Sequence, residues 1–379
     1  MVIKEGYKQT EVGVIPSGWE VKSIKNVAPL QRGFDLTNSD LKKGIYPVVY
    51  SNGIVNFHNI FQVKAPGIVT GRSGTIGKVT FVEEDYWPHN TALWVTDFKN
   101  NNPKFIYYLF LKIKLERFAT GSGVPTLNRN DVHDHFIPLP TLAEQTAIAT
   151  ALSDADALIT SLEKLIAKKR NIKQGTMQQL LQPKEGWEVK KLGEVATIVR
   201  GASPRPIEDT KWFDKQSPIG WVRISDVTKS KKVLLETTQK LSDLGVKNSR
   251  LVENGNLIMS ICATVGRPIL TTFDVCIHDG FVVFKNPQVD RQYLYYFLTF
   301  IEDNWAKSGQ TGSQMNLNTT LINNTEIPFP KSPEEQTRIA TILSDMDAEL
   351  TVLEQKLEKY KKIKLGMMQE LLTGKTRLI

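Results

Sequence analysis

A thirteen-residue segment occurs twice in this chain. Residues 144–156 read EQTAIATALSDAD and residues 335–347 read EQTRIATILSDMD, so ten of thirteen positions are identical at a constant offset of 191. A repeat at a fixed offset indicates two copies of one structural unit. The duplication therefore restricts the chain to architectures built from two similar halves.

The duplication extends over almost the whole sequence. GWEVKSIKNVA (18–28) returns as GWEVKKLGEVA (186–196), and IVTGRSGTIGK (68–78) returns in a looser form as LIMSICATVGR (257–267). Each copy begins with short β-rich runs separated by Gly, Asn and Pro, and it continues into a segment that predicts a long helix. We predict four consecutive segments, alternately globular and helical: 1–140, 141–182, 183–330 and 331–379.

Both predicted helices carry apolar residues at alternating spacings of four and three. This spacing is typical of helices that pack side by side in a coiled coil. The residues that we expect to pack along the two helices are Ile148, Leu152, Ile159, Leu162, Ile166, Ile339, Leu343, Leu350, Leu353 and Leu357. Because matched helices in one chain can bury these faces on each other, we predict an α+β fold. Two α/β domains would be joined by two long antiparallel coiled-coil helices in an internal pseudo-two-fold repeat. In the alternative, each apolar face packs only on its own globular domain.

The ends and the middle of the predicted helices carry further signals. Thr141 and Ser332 can act as N-caps, and Ser332 is followed by Pro333 and two glutamates, which favour a helix start. Gly175 and Gly366 occupy the same position in the two copies. We expect them to mark a kink or a close contact between helices.

Composition limits the function classes without selecting one. The chain has 379 residues and a formal net charge of +8, which permits nucleic-acid binding but does not establish it. No apolar run approaches the length that spans a bilayer, and the N-terminus is too polar for a signal peptide, so we expect a cytoplasmic protein. Cys262 and Cys276 have no second pair of metal ligands near them, and this favours buried, reduced thiols.

The order of several motifs resembles the specificity (S) subunit of type I restriction–modification systems. The motifs are IPSGWEV (15–21), GRSGTIGK (71–78), TGSGVPTLNRNDV (120–132) and IPLPTLAEQTAIA (137–149), and the resemblance extends over essentially the full chain. It implies that residues 1–140 and 183–330 are target recognition domains, each of which reads one half of a bipartite double-stranded DNA site.

The resemblance also implies partners. The helices would be spacers that set the gap between the half-sites and dock two methyltransferase (M) subunits, through which restriction (R) subunits are recruited. The S subunit itself would have no catalytic site and no metal or cofactor. S-adenosylmethionine would be bound by the partner methyltransferase.

The GRSGTIGK motif favours DNA contact over nucleotide binding. Five residues rather than four separate Gly71 from Gly77, and Val79 replaces the Ser or Thr that a P-loop requires. A glycine-rich turn with basic and hydroxyl side chains suits phosphates and base edges, although a solvated β-turn is the alternative. The DNA-binding residues that we predict are Arg32, Arg72, Ser73, Thr75, Lys78, Asn128, Arg129, Arg200, Arg205, Arg223, Lys229, Lys231, Arg267 and Asn318.

Other motifs favour structural roles. His89 and His278 occupy corresponding positions without a shared carboxylate or cysteine, so we expect them to be satisfied structural histidines. The H-x-H pattern of His133 and His135 is weak evidence for a metal. NNPKF (101–105) resembles a methyltransferase loop only in part, because its second proline is replaced by lysine. It predicts a helix N-terminus instead.

Two other function classes compete with DNA recognition. A self-contained methyltransferase or nuclease would require cofactor or metal-carboxylate motifs, which we do not find in the sequence. A coiled-coil scaffold that binds only proteins would require no DNA affinity. A gel shift with a methyltransferase partner present distinguishes the scaffold from the specificity subunit.

Overall fold

The computed structural model describes residues 4–121, 125–308 and 317–378. The chain divides into two compact units. Unit 1 comprises Met1–Lys164 and Glu354–Ile379, and unit 2 comprises Leu165–Leu353. Both units are mixtures of helix and strand, which confirms the predicted α+β fold class. No helix in the described ranges is both long enough and apolar enough to cross a membrane.

Unit 1 consists of short strands and three short helices before the first long helix. The strands are β1 (Tyr7–Thr10), β2 (Gly13–Pro16), β3 (Glu20–Ser23), β4 (Leu30–Arg32), β5 (Tyr46–Tyr50), β6 (Gly53–His58), β7 (Gly67–Gly71), β8 (Val79–Val82), β9 (Trp87–Pro88), β10 (Ala92–Val95), β11 (Ala119–Thr120), β12 (Thr126–Leu127) and β13 (Phe136–Leu139). The helices are α1 (Ile24–Val27), α2 (Pro103–Ile113), α3 (Arg129–His133) and the long α4 (Leu142–Leu181), whose last part belongs to unit 2.

Unit 2 repeats this plan with additional elements. Its strands are β14 (Glu188–Lys191), β15 (Thr197–Arg200), β16 (Gly220–Val222), β17 (Val233–Leu234), β18 (Gln239–Lys240), β19 (Arg250–Val252), β20 (Leu257–Ser260), β21 (Pro268–Thr271), β22 (Val275–Ile277), β23 (Phe281–Lys285) and β24 (Glu326–Phe329). Its helices are α5 (Leu192–Val195), α6 (Ile224–Lys229), α7 (Asp243–Lys247), α8 (Arg291–Phe300), α9 (Glu302–Ser308), α10 (Thr319–Asn324) and the first part of α11 (Pro333–Leu371).

The main sheets of the two units have matching strand orders. The order is β4-β10-β7-β8 in unit 1 and β15-β23-β20-β21-β17 in unit 2, where β17 is added in parallel beside β21. A second sheet has the order β6-β5-β9 in unit 1 and β18-β16-β22-β19 in unit 2. The strands β7, β20 and β23 are almost wholly buried and rich in Ile, Val and Phe, as expected for strands at the centre of a core.

One amphipathic helix packs on each main sheet. In α2, Asn102 caps the helix by accepting from the N–H groups of Lys104 and Phe105, and Pro103 occupies the first turn. This confirms that NNPKF forms a helix N-terminus. In α8, Asp290 accepts from the Tyr293 N–H in the same way. Tyr108 of α2 is buried in the core of unit 1, and Tyr295 and Tyr296 of α8 are buried in the core of unit 2.

The long helices run antiparallel within each unit, because the residue number on one helix rises as that of its ion-pair partner falls. In unit 1 the pairs are Asp156–Lys364 and Glu163–Lys361, and in unit 2 they are Lys169–Glu349 and Lys173–Asp347. The predicted helix starts are also present. The Thr141 hydroxyl accepts from the Glu144 N–H, and the Ser332 hydroxyl accepts from the Glu335 N–H.

The apolar faces of the long helices pack on the opposite helix and on the globular part of their unit. The predicted packing residues that are buried are Ile148, Leu152, Ile159, Leu162, Ile166, Ile339, Leu343 and Leu350, whereas Leu353 and Leu357 are half-buried. Ile148 and Leu152 belong to the core of unit 1 together with Leu371, the last residue of the opposite helix, and Leu372, which follows it. The first turns therefore pack on the globular part and on the other helix at once, so packing on the globular domain alone does not describe them.

A polar junction of three residues recurs where each domain meets its helices. In unit 1 the Tyr108 hydroxyl on α2 donates to an Asp156 oxygen on α4 at 2.8 Å, and Lys364 on α11 pairs with the other oxygen at 2.5 Å. In unit 2 the same roles are taken by Tyr296, Asp347 and Lys173, with distances of 2.8 and 2.5 Å. Each aspartate therefore holds a domain helix and both long helices together.

Two details expected from the sequence are absent: a close helix contact at Gly175 and Gly366, and full burial of Cys262. Gly175 and Gly366 make no close contact, because a Cβ built at either position would meet no described atom within 4 Å. Cys262 is only half-buried, although Cys276 is buried as expected and both thiols are free. Burial raises the pKa of the Cys276 thiol to about 11, so this thiol is protonated near neutral pH.

Candidate nucleic-acid interface

The loop between β7 and β8 (residues 72–78, the β7–β8 loop) is shaped by its glycines. The Gly71 N–H donates to the Lys78 carbonyl, and the Gly77 N–H donates to the Gly71 carbonyl. Gly74 and Gly77 have φ values of +79° and +76°, which side chains rarely adopt. A Cβ on Gly71 would lie 1.8 Å from the Thr75 carbonyl oxygen. The loop is thus a tight turn that leaves the Thr75 and Lys78 side chains exposed.

Thr91 connects this loop to two neighbouring turns. Its carbonyl accepts from the N–H groups of both Arg72 and Ser73, at 3.0 and 3.1 Å. Its hydroxyl accepts from the Ser51 N–H at 3.3 Å. The Lys78 ammonium donates to the carbonyl of Asn52 in the β5–β6 turn. Residues far apart in sequence are therefore gathered at one end of the two sheets of unit 1.

Arg32 and His89 lie at the same end. The Arg32 guanidinium pairs with Asp35 at 3.1 Å, and the Asp35 carboxylate also accepts from the Asn90 amide. The His89 ring contacts the Thr91 hydroxyl and the Leu36 carbonyl and stacks on Tyr50, with 4.2 Å between ring centres. Burial lowers the pKa of His89, so the ring is neutral near pH 7. This agrees with a satisfied structural histidine.

Asn128 and Arg129 are brought next to the β7–β8 loop by two backbone contacts. The Leu127 N–H donates to the Arg72 carbonyl at 2.8 Å, and Ser73 forms a bridge with Thr126. The Asn128 side chain accepts from the Asn130 N–H and caps α3, whereas the Arg129 side chain is exposed. Residues 122–124 of the TGSGVPTLNRNDV motif lie outside the described residues.

All seven predicted residues of unit 1 therefore belong to one connected surface, which we call the unit 1 loop cluster. Its residues are Arg32, Arg72, Ser73, Thr75, Lys78, Asn128 and Arg129, together with Ser51, Asn52, Asn90 and Thr91, which the sequence reasoning missed. These four lie in turns that carry no charge pattern. Only their hydrogen bonds to the predicted residues identify them.

The loop between β20 and β21 (residues 261–267, the β20–β21 loop) repeats this geometry in unit 2. Four backbone hydrogen bonds have direct counterparts in unit 1: Ser260 N–H to Arg267 O, Gly266 N–H to Ser260 O, Ile261 N–H to Gly280 O and Leu317 N–H to Ile261 O. The positive φ values also recur, at Ala263 (+59°) and Gly266 (+83°). The two loops thus share one backbone conformation although five of their seven residues differ.

Basic residues of unit 2 surround the β20–β21 loop. The Arg200 guanidinium donates to the Asp279 carbonyl at 2.7 Å, and Arg205 lies 3.7 Å from the Asp279 carboxylate. The Arg223 guanidinium donates to the Gln239 side chain at 2.7 Å. Arg267 donates to the Ser230 carbonyl at 3.1 Å, at the end of α6. With the exposed Lys229 and Lys231, these groups form the unit 2 loop cluster.

The side chains of Asn318 and Lys232 make hydrogen bonds that support the fold of unit 2. The Asn318 side chain accepts from the Leu321 N–H and caps α10, as Asn128 caps α3. Lys232, the last residue of the basic run KSKK, does not belong to the exposed surface. Its ammonium donates to the Tyr296 hydroxyl and to the Ser344 hydroxyl at 3.0 and 3.1 Å. Burial lowers the pKa of Lys232, in agreement with an internal role.

The histidines do not form a metal site. His133 accepts the Leu30 N–H at 2.8 Å, and His135 lies 2.7 Å from the Arg117 guanidinium. Burial lowers the pKa of both rings. Within the described ranges no group of three or more His, Cys, Asp or Glu residues could hold a metal ion.

Comparisons with known proteins agree on one family. The family "Type I restriction modification DNA specificity domain" matches residues 16–174 and 184–364. The type I restriction enzyme MjaVIII specificity subunit of Methanocaldococcus jannaschii is 28% identical over 306 residues, which cover 72% of this chain and 70% of that protein.

Solved structures show the same fold. The type I restriction–modification S subunit from M. genitalium has a TM-score of 0.65 at 15% identity and covers 98% of both chains. A chain from a structural study of complex assembly and conformational transition in the type I R-M system has a TM-score of 0.61 at 16% identity. It covers 96% of this chain and 99% of its own. The two family matches leave few residues of the chain uncovered. The chain therefore belongs to the type I restriction–modification DNA specificity family and is a non-catalytic specificity subunit.

Proposed function

We propose that this chain recognises an asymmetric, bipartite double-stranded DNA site. The unit 1 loop cluster reads one half of the site and the unit 2 loop cluster reads the other half. The long helices set the gap between the halves and dock two methyltransferase subunits, through which restriction subunits are recruited. S-adenosylmethionine is bound by the methyltransferase partner. Residues 1–140 and 183–330 act as the recognition domains, and 141–182 and 331–379 act as spacers.

The observation that carries this proposal is the pattern of conserved and changed side chains on a repeated loop backbone. Arg32 and Lys78 of unit 1 correspond to Arg200 and Arg267 of unit 2, so a cation is kept at both positions. In contrast, the two residues after Gly71, Arg and Ser, correspond to Ile261 and Cys262. Phosphates are the same in every sequence, whereas base edges differ. Kept cations therefore suit the backbone, and changed side chains suit two different half-sites.

The proposal predicts different consequences for the two kinds of residue. We expect Lys78→Gln to weaken binding to all DNA sequences several-fold and to reduce the slope of log K against log salt by roughly 0.9, the effect of one lost phosphate contact. We expect Arg72→Ala to cost about 1–3 kcal/mol on the cognate half-site and to relax the base preference there. Fluorescence anisotropy with half-site variants measures both effects.

The control for these substitutions lies outside the cluster. Lys22→Gln removes an equally exposed lysine of β3, which pairs with Glu20 at 2.6 Å. We expect it to change neither the affinity nor the salt slope. Equal losses for Lys22→Gln and Lys78→Gln would mean that general charge, and not the loop cluster, attracts the DNA.

The experiment that tests the whole proposal exchanges one domain. Residues 1–140 are replaced by the first domain of another family member, and the chimera is expressed with the methyltransferase of its own system. We expect mapping of methylated bases to show a change in one half of the recognised site while the other half and the gap remain. A change in both halves would contradict the modular assignment, and an unmethylated genome with a negative gel shift would favour a protein-only scaffold.

A further inference from the structure

An open groove runs along the outer edge of the main sheet in unit 1. It has a volume of about 740 Å³ and lies between the β5–β6 hairpin, β8, α2 and α4. Ile54 and Phe57 line one side, and Tyr108, Ser153 and Asp156 line the other. Within the described residues of unit 1, β8 pairs with β7 alone, so its outer edge faces the groove. Such an edge can accept a further strand.

The corresponding groove of unit 2 is filled by the chain itself. Strand β17 pairs in parallel with β21, and the Leu270 N–H donates to the Lys232 carbonyl at 3.0 Å. The Lys232 ammonium reaches the Tyr296 and Ser344 hydroxyls and lies 4.6 Å above the Tyr296 ring. A short extended segment, lysine followed by Val233 and Leu234, therefore completes this sheet.

The two grooves correspond residue by residue. The matching pairs are Phe81 and Leu270, Tyr108 and Tyr296, Ser153 and Ser344, and Asp156 and Asp347. Ile68 pairs with Phe81 as Leu257 pairs with Leu270, so the N–H of Phe81 is the one that faces away from β7. Unit 1 thus offers the edge and the hydroxyls that hold β17 and Lys232 in unit 2, and the carboxylate hydrogen-bonded to the tyrosine hydroxyl.

Charge identifies the kind of occupant. Glu83, Glu84 and Asp156 line the unit 1 groove together with Lys78 and Lys104. In unit 2 the Asp347 carboxylate, the counterpart of Asp156, pairs with Lys173. It also attracts the Lys232 ammonium, and this attraction opposes the lowering of the Lys232 pKa by burial. The groove therefore suits an extended segment that carries a lysine and apolar side chains. Its carboxylates disfavour a phosphate backbone.

We propose that the unit 1 groove binds an extended segment of a methyltransferase partner, in which a lysine is followed by two aliphatic residues. The segment adds a parallel strand to β8, and its ammonium contacts the Tyr108 and Ser153 hydroxyls and is attracted by the Asp156 carboxylate. This inference rests on the proposed function. The partner is a DNA-modifying subunit because Lys78 belongs both to this groove and to the unit 1 loop cluster, so the occupant lies directly beside the bound DNA.

Because unit 2 fills its own groove, only one of the two methyltransferase subunits uses strand addition, and the two subunits are held unequally. Weakening the unit 1 groove should release one subunit and leave the other bound. A specificity subunit with two equivalent docking sites would lose both subunits together or neither.

The test substitutes Ile54→Glu and Phe57→Glu together and follows assembly with the methyltransferase by native mass spectrometry. Both side chains are about half exposed, at 46% and 50%, so the chain should fold normally. We expect the wild type to form a complex with two methyltransferase subunits. The double variant should form mainly a complex with one, and its second subunit should bind at least about 10-fold more weakly.

The matched control is Val55→Glu on the same strand. Val55 is 54% exposed and does not line the groove, so two subunits should still bind. Hydrogen exchange supplies an independent readout: amides of residues 79–82 should become protected when the methyltransferase binds. The amide of Leu270, which already donates to the Lys232 carbonyl beside β17, should not change.

The outcomes separate the two proposals. Binding of two subunits by the Ile54→Glu, Phe57→Glu variant with unchanged affinity would overturn the groove inference while the proposed function stands. Protection of residues 79–82 on addition of DNA alone, or on self-association of this chain, would identify another occupant and also overturn it. A wild-type chain that binds no methyltransferase would overturn the proposed function and this inference together.

Discussion

Glu144→Ala is expected to destabilise unit 1 by about 3 kcal/mol. The Glu144 carboxylate is fully buried and is the acceptor for three donors from distant parts of the chain. One oxygen accepts from the Trp19 indole N–H at 2.9 Å. Arg377 donates to both oxygens, at 3.0 and 2.8 Å. This single side chain therefore connects the start of unit 1, the first turn of α4 and the segment after α11.

The size of the effect follows from what remains after truncation. The Trp19 side chain is fully buried, so its N–H would lose its acceptor and could not reach water. A buried donor without a partner costs roughly 1–3 kcal/mol, and a bidentate charge-assisted pair is lost in addition. Glu144→Gln keeps an oxygen for Trp19, and we expect about half of the loss. Thermal or urea unfolding followed by tryptophan fluorescence measures both variants.

The duplication supplies the control for this prediction. Glu335 occupies the position of Glu144 in the second copy, but it is only half-buried and pairs with Arg338 at the surface, at 3.8 Å. Such exposed pairs contribute about 0–1 kcal/mol. Glu335→Ala should therefore change stability by less than 1 kcal/mol. Similar losses for the two variants would show that the buried network is not the cause.

The features that sequence predicted best are those that repeat locally. Spacings of four and three predicted the long helices, and the cap residues Thr141 and Ser332 predicted their starts, because both signals depend on neighbours within one or two turns. The repeat itself predicted two similar units. It also matched the two glycine-rich loops, although their sequences had diverged, because the flanking strands kept the offset.

The features that sequence did not predict depend on contacts between distant residues. Lys232 is the last residue of the basic run KSKK, but it contacts Tyr296 and Ser344, which lie 64 and 112 residues further along the chain. Thr91 was not singled out, because its role in the loop cluster is carried by backbone hydrogen bonds. Gly175 indicated a close contact that the structure lacks. A residue type in a pattern cannot reveal which partner the fold brings to it.

The tyrosine–aspartate–lysine junctions show how a local pattern becomes a long-range constraint. The long helices are amphipathic, and this alone would allow a domain to slide or rotate on them. A polar group that must find two particular partners permits fewer arrangements than an apolar contact does. Tyr108 and Tyr296 each donate to an aspartate on one long helix, and a lysine from the other helix completes the pair. Burial raises the pKa of both tyrosine hydroxyls, so they remain donors at all physiological pH values.

Asp156→Ala and Asp347→Ala are each expected to cost about 3 kcal/mol. The Lys364 and Lys173 side chains are both 18% exposed, so removal of the carboxylate leaves a largely buried ammonium and a tyrosine hydroxyl without its acceptor. Chemical unfolding of the chain alone, in the absence of partners, measures the loss. Because each junction lies within one unit, the double variant should show the sum of the two losses.

Replacement of a whole pair distinguishes a specific junction from a simple stabilising contact. Asp156→Leu combined with Lys364→Leu removes both charges and leaves apolar side chains of similar size, which is often nearly neutral for stability. We expect this variant to recover most of the stability that Asp156→Ala loses. If the junction fixes the domain on its helices, DNA affinity should nevertheless stay reduced, because the loop cluster is no longer held in one orientation. Recovery of stability and affinity together would mean that packing alone orients the domain and that the repeated aspartates are dispensable for it.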